Sequence, residues 1–132
     1  MKETVEMLKA LSNDTRLMIM VLLNQKELCV CQIENLLNLL QAKVSRHLTV
    51  LKHAGLVTDR REGLWIYYSA VNPKNKIEKK VFELFRELAN NKKELKISLV
   101  KLKSCKIKIK KKEESDGIRR GNNYGKQKTS SI

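Results

Sequence analysis

Three cysteines stand in the 132-residue sequence, and two of them, Cys29 and Cys31, are separated by a single valine. Thiolates select soft ions over hard ones. The pair opens a segment of helical periodicity, and a helix N-terminus favours the thiolate form. On a regular helix, side chains two residues apart point about 200° from one another. Sharing one ion at sulfur bonds of ~2.3 Å needs the two sulfurs within roughly 4 Å. The spacing therefore predicts that ion capture distorts the first turn of that helix. Cys105, set among lysines, is a candidate third ligand, the alternative being an incidental tail thiol. A thiol redox switch on Cys29 and Cys31 is a rival chemistry. The pair lacks the two-residue spacer of thioredoxin-like motifs, and no βαβ pattern surrounds it.

A second set of residues suits a polyanion. Lys43, Ser45, Arg46, His47, Thr49 and Lys52 fall within one short helical segment. Lys43 and Arg46 can reach guanine edges or phosphates, and Ser45 and His47 can donate to base edges or backbone oxygens. Arg60 and Arg61 precede a Glu62-Gly63 turn, where they could straddle phosphates beside a groove. Taken alone, basic residues on an amphipathic helix are as well explained by a solvated face. His53 reads as a surface residue.

The elements that must position these groups follow from periodicity. Val5, Leu8 and Leu11 mark a first helical stripe, and Asn13-Asp14 supplies a turn and N-cap. Thr15 to Leu23 is a strongly apolar helix with Leu17, Met20, Val21 and Leu23 inward. Cys29 to Leu40 is a third helix carrying Ile33, Leu36 and Leu37, broken near Asn38 to Gln41. A fourth runs from about Ala42 to Ala54, with Val44, Leu48 and Leu51 inward and Gly55 as C-cap. The period then changes: Leu56 to Arg61 and Leu64 to Ala70 form a hairpin around Glu62-Gly63, with Trp65, Tyr67 and Tyr68 packing it on the body. After Asn72-Pro73 a last helix carries Ile77, Val81, Leu84, Phe85 and Leu88, with Leu95, Leu99 and Leu102 as a continuation. Two helices joined by a polar turn and followed by a hairpin make a winged helix-turn-helix, mostly α with a small β-hairpin. Residues 1–104 form the domain and 105–132 a basic tail, its end from Glu113 too poor in apolar groups to offset ordering entropy.

Composition agrees. Lys and Arg number 28 against 14 acidic residues, a net charge of +14. The stretch from Lys101 onward holds +8 of it, leaving +6 on the first hundred residues. A basic body points to an anionic partner such as nucleic acid, and the tail adds charge that releases counterions. Met1 to Leu8 carries two glutamates and no apolar run, unlike a signal peptide. The longest apolar run, Leu17 to Leu23, is seven residues, against roughly twenty for a membrane span. The expectation is a cytoplasmic protein with no membrane partner, in which thiols stay reduced. A phosphate-cradling glycine loop, a nucleophile–His–Asp set and a His/carboxylate cluster are all missing from the sequence, so an enzyme is not expected.

Four segments together carry a specific resemblance: Lys9-Ala10-Leu11-Ser12-Asn13-Asp14-Thr15-Arg16-Leu17; Glu27-Leu28-Cys29-Val30-Cys31-Gln32-Ile33; Val44-Ser45-Arg46-His47-Leu48, with Leu51 and Ala54-Gly55-Leu56-Val57; and Arg60-Arg61-Glu62-Gly63-Leu64-Trp65-Ile66-Tyr67-Tyr68. Over about residues 3 to 90 the chain resembles the ArsR/SmtB family of metal-sensing repressors. The resemblance implies a homodimer joined through its first and last helices, bound to an imperfect palindrome of double-stranded operator DNA without need of a cofactor. The Cys-x-Cys is similar to the arsenic- and antimony-sensing arrangement, which makes arsenite or antimonite the implied inducer, held by Cys29 and Cys31. Some members place a third cysteine three residues on; here Glu34 stands there, leaving Cys105, a small-molecule thiol or nothing as third ligand. Cadmium and lead sensors share the central pair but add N-terminal cysteines, which this sequence lacks. Zinc sensors use a last-helix site with histidines, and Lys74 to Lys101 contains none. A cadmium- or lead-responsive repressor and a thiol redox-switch repressor are the alternatives.

Overall fold

In the computed structural model, which describes residues 1–91, the Asn13-Asp14 turn does what its residue types require. Asn13 is extended, and its Oδ1 accepts the Arg16 backbone N–H at 3.0 Å, capping α2 (Asp14–Gln25). This helix is the centre of the molecule. Ile19 through Leu23 are all buried, so it is covered on nearly every side rather than along one stripe. Helix α1 (Lys2–Leu11) packs on it through Met7, Ala10 and Leu11. Of the expected stripe only Leu11 faces inward; Val5 and Leu8 are exposed.

The largest departure lies at the third helix. The chain forms a two-residue strand β1 (Leu28–Cys29) before α3 (Val30–Leu37) begins. Cys29 is the extended N-cap of α3, with φ −88° and ψ 168°, and not its first helical residue. The periodicity of Ile33 and Leu36 was a sound guide to the helix body. It could not show that Leu28 and Cys29 are claimed by a distant strand. Asn38, in the left-handed region at φ 56°, closes α3, and Leu39 N–H returns to Glu34 O at 3.1 Å. The helix therefore stops short of the expected Leu40.

Helix α4 (Gln41–His53) buries Val44, Leu48 and Leu51, as its pattern predicts. Its end is a Schellman motif: Gly55 N–H bonds Lys52 O, and Leu56 N–H bonds Leu51 O, each at 3.0 Å. Gly55 sits at φ 78°, where a side chain is strained.

Strands β2 (Val57–Glu62) and β3 (Trp65–Ala70) form the hairpin, paired antiparallel from Val57↔Ala70 to Glu62↔Trp65. Its loop is Gly63-Leu64, one residue beyond the expected turn, with Gly63 at φ 64°. β1 joins the other edge of β3, giving the order β1-β3-β2. Helix α5 (Lys76–Asn91) then packs on α2. Its inward face is Phe82, Phe85 and Ala89, the two rings meeting edge-on at 5.1 Å. Ile77 and Leu84, on the same apolar stripe, are exposed. The winged helix-turn-helix is therefore present, and α3 and α4 form its helical pair. The expected continuation through Leu95, Leu99 and Leu102, and the tail from 105, lie outside the described residues.

Candidate metal centre and nucleic-acid interface

The β1–α3 junction places the cysteine pair. Leu28 and Cys29 pair with Tyr68 and Tyr67 of β3, so the backbone of Cys29 is held in the sheet. Gln32, itself buried, accepts the Cys29 N–H on its Oε1 at 2.8 Å, one half of a capping box in which sulfur takes the hydroxyl's place. Cys29 is buried at 1% exposure, whereas Cys31 is half-buried and reachable from solvent. Their Sγ atoms stand 2.9 Å apart, well beyond a disulfide bond of ~2.05 Å, so both are thiols.

This geometry corrects the expectation that a helix holds the sulfurs apart and must unwind to bring them together. The 200° argument applies only to two helical residues. Because Cys29 is extended and precedes the helix, its side chain already lies beside that of Cys31. Two soft ligands on the same side of the chain suit a thiophilic ion. Among the described residues no group of three or more His, Cys, Asp or Glu side chains is placed to hold a metal ion. Cys105 lies outside the described residues.

The second surface is built on α4. At about 100° per residue, Ala42, Arg46, Thr49 and His53 lie opposite the buried Val44, Leu48 and Leu51. All four are exposed, as are Lys43 and Val50. Ser45 and His47 flank this face and are half-buried. Thr49 turns its Oγ1 back onto Ser45 O at 2.9 Å, an intrahelical bond that occupies its hydroxyl proton. Lys52 is tied to Asp59 of β2 at 2.8 Å, and that hydrogen bond raises its pKa.

His47 is more constrained than its sequence position suggested. Arg16 of α2 bonds Ala10 O through Nε at 2.6 Å and brings Nη1 to 3.3 Å from His47 Nδ1. A guanidinium only donates, so Nδ1 accepts and the proton of the neutral ring sits on Nε2. Burial lowers the His47 pKa from 6.5, helped by the positive charges of Arg16, Lys43 and Arg46 and opposed by Asp14.

On the wing, Arg60 and Arg61 differ in kind. Arg60 forms a fork with Glu27, Nε to Oε2 and Nη2 to Oε1 both at 2.8 Å. It reaches Glu62 at 3.6 Å and lies 5.0 Å from the ring centre of Tyr67. The Glu27 fork raises its pKa further. Arg60 is thus a brace between the β1 approach and the wing, with less of its charge available to phosphate than expected. Arg61, Lys43 and Arg46 are exposed cations with no ion pair among the described residues. Trp65, Tyr67 and Tyr68 are half-buried. Glu27, Asp59 and Arg16 were not singled out from sequence, since nothing local links Glu27 to Arg60 or Arg16 to His47 across more than thirty residues.

A model described as "Bacterial regulatory protein, arsR family" matches residues 13–59. The chain is 48% identical over 61 residues to an arsenic resistance transcriptional regulator, ArsR1, of Pseudomonas putida, covering 46% of this chain and 48% of that protein. An uncharacterized HTH-type transcriptional regulator of Methanocaldococcus jannaschii is 39% identical over 88 residues, 66% of this chain and 96% of that one. Among solved structures, HlyU from Vibrio cholerae superposes with a TM-score of 0.58 at 33% identity, covering 66% of this chain and 91% of that chain. The matched region spans about half the length of the first curated relatives.

Proposed function

Because this chain belongs to the arsR family of bacterial regulatory proteins, a family of regulators and not of enzymes, we propose that it is a homodimeric repressor that leaves operator DNA when a soft ion binds Cys29 and Cys31. The observation that carries this reading is the sulfur pair, 2.9 Å apart at a joint shared by the sheet and the helix-turn-helix.

DNA is gripped by α4 and the wing. Lys43 and Arg46 project from the exposed face of α4, neutral His47 offers Nε2–H, and Arg61 stands on the wing. Thr49 lies on the same exposed face, and Ser45 at its margin. Lys52 and Arg60 act chiefly as braces through Asp59 and Glu27.

Cys29 and Cys31 hold the ion, arsenite or antimonite by preference, since thiolates favour soft acceptors. Cys29 is at once the partner of Tyr67, the cap of α3 and, through its backbone N–H, the donor to Gln32 Oε1. Movement of its backbone therefore acts in two directions. Toward α3 it loosens the helix that supports α4. Toward β3 it disturbs the strand that carries the wing, with the Glu27–Arg60 fork two residues upstream. An ion that binds the displaced arrangement better disfavours the DNA-bound one by the same free energy.

The same proximity favours one other reading, a thiol switch in which oxidation joins Cys29 to Cys31. Both are tested by titrating the full-length protein on its DNA with arsenite, antimonite, cadmium, lead and peroxide, beside Cys29→Ser, Cys31→Ser and Cys105→Ser. Release by arsenite or antimonite that is lost in Cys29→Ser and Cys31→Ser is expected. Release by cadmium or lead moves the inducer; release by peroxide alone selects the thiol switch. Unchanged DNA affinity with every ion and with peroxide sinks cysteine sensing altogether.

A further inference from the structure

Leu40 breaks two local preferences at once. It is the N-cap of α4, a position that favours Ser, Thr, Asp or Asn, and its side chain makes no capping bond. It is also 79% exposed, more so than any other large apolar side chain of the described residues except Met1. Its exposure is imposed by the backbone. Leu39, its neighbour, packs on the core with its N–H on Glu34 O. Leu40 O accepts the N–H groups of Lys43 and Val44 at 3.1 and 3.0 Å. Held at both ends, the residue points outward from an ordered helix start. Positions where local rules fail without compensation are where function is to be sought.

Resting on the DNA-binding reading above, we propose that Leu40 is a specificity-determining residue that packs on the 5-methyl group of a thymine in the major groove. The N-terminal residues of a recognition helix are those that meet base edges, and apolar side chains distinguish thymine by its methyl. Ala42, exposed two residues on, leaves the approach uncrowded, and Lys43 and Arg46 set positive charge beside it. That charge favours a polyanion over a second copy of this +14 chain as the occupant. The exposed apolar residues suited to a second copy, Val5, Leu8, Ile77 and Leu84, stand on α1 and α5 instead.

The test begins with full-length protein and its preferred duplex, selected from random double-stranded DNA. Each thymine is then replaced singly by deoxyuridine, which keeps the hydrogen-bonding edge and removes only the methyl. At one thymine per half-site the wild type is expected to lose about fivefold in affinity, the worth of one buried methyl. Leu40→Ser should bind both duplexes alike and melt no lower than wild type, since serine restores the cap. Leu40→Met should keep the methyl preference. Indifference of the wild type to the methyl at every position overturns the proposal, as does an undiminished penalty in Leu40→Ser. So does a change of mass in solution caused by Leu40→Ser, which would assign the side chain to a protein contact. Failure to select any preferred duplex removes the DNA-binding reading itself, and is told apart because no methyl comparison is then reached.

Discussion

At the scale of single residues, the side chains named for DNA fall into two groups that only their partners separate. Lys43, Arg46 and Arg61 project, whereas Lys52 and Arg60 are occupied by Asp59 and Glu27. His47 stands between the groups. Its pKa lies below the ordinary 6.5, first through burial and then through Arg16, Lys43 and Arg46. A histidine depressed in the folded state contributes stability that is present above the unfolded value of about 6.5 and is lost as pH falls through the folded value. Thermal melts at pH 7.5 and 5.0 should therefore show wild type losing more on acidification than His47→Gln, whose amide stays neutral. Equal losses in the two proteins would remove His47 from the acid response.

At the scale of elements, the two ends of the helix-turn-helix are set by different means. The end of α4 is a local matter: Gly55 at φ 78° lets Leu56 turn back on Leu51, so glycine after the last periodic residue was enough to place it. Space is not the constraint, because nothing lies within 4 Å of a Cβ built at Gly55. Gly55→Ala should then lower unfolding free energy by about 1–2 kcal/mol, the strain of a left-handed non-glycine residue. Denaturant melts measure it, and DNA preference should be unaltered. The start of α3 is not local. Cys29 looks helical by its neighbours and is extended because β3 pairs with it.

At the scale of the molecule, α2 is enclosed, while α1 and α5, which both pack on it, each keep an apolar face in solvent. Val5 and Leu8 are 42% and 52% exposed, Ile77 and Leu84 56% and 47%. Such residues at helical spacing on two helices that both pack on α2 suit a self-association surface. Leu8→Glu and Leu84→Glu should each shift the mass in sedimentation toward that of one 15.3 kDa chain. Helical circular dichroism should persist, because neither residue belongs to the core. Variants that sediment like wild type would remove these two faces from any self-association.

The sequence by itself determined the helical pair, the hairpin and the buried Val44, Leu48 and Leu51, since each is written in neighbours a few residues apart. It left the faces of α1 and α5 open, because the apolar period of Val5, Leu8, Ile77 and Leu84 marks an outer surface as readily as a core. Tertiary structure alone decided that the two sulfurs meet without unwinding a helix, that Arg60 is held by Glu27, and that Arg16 fixes the tautomer of His47. Each depends on chain segments about thirty or more residues apart, and a periodic pattern holds no record of which distant strand or charge will arrive beside it.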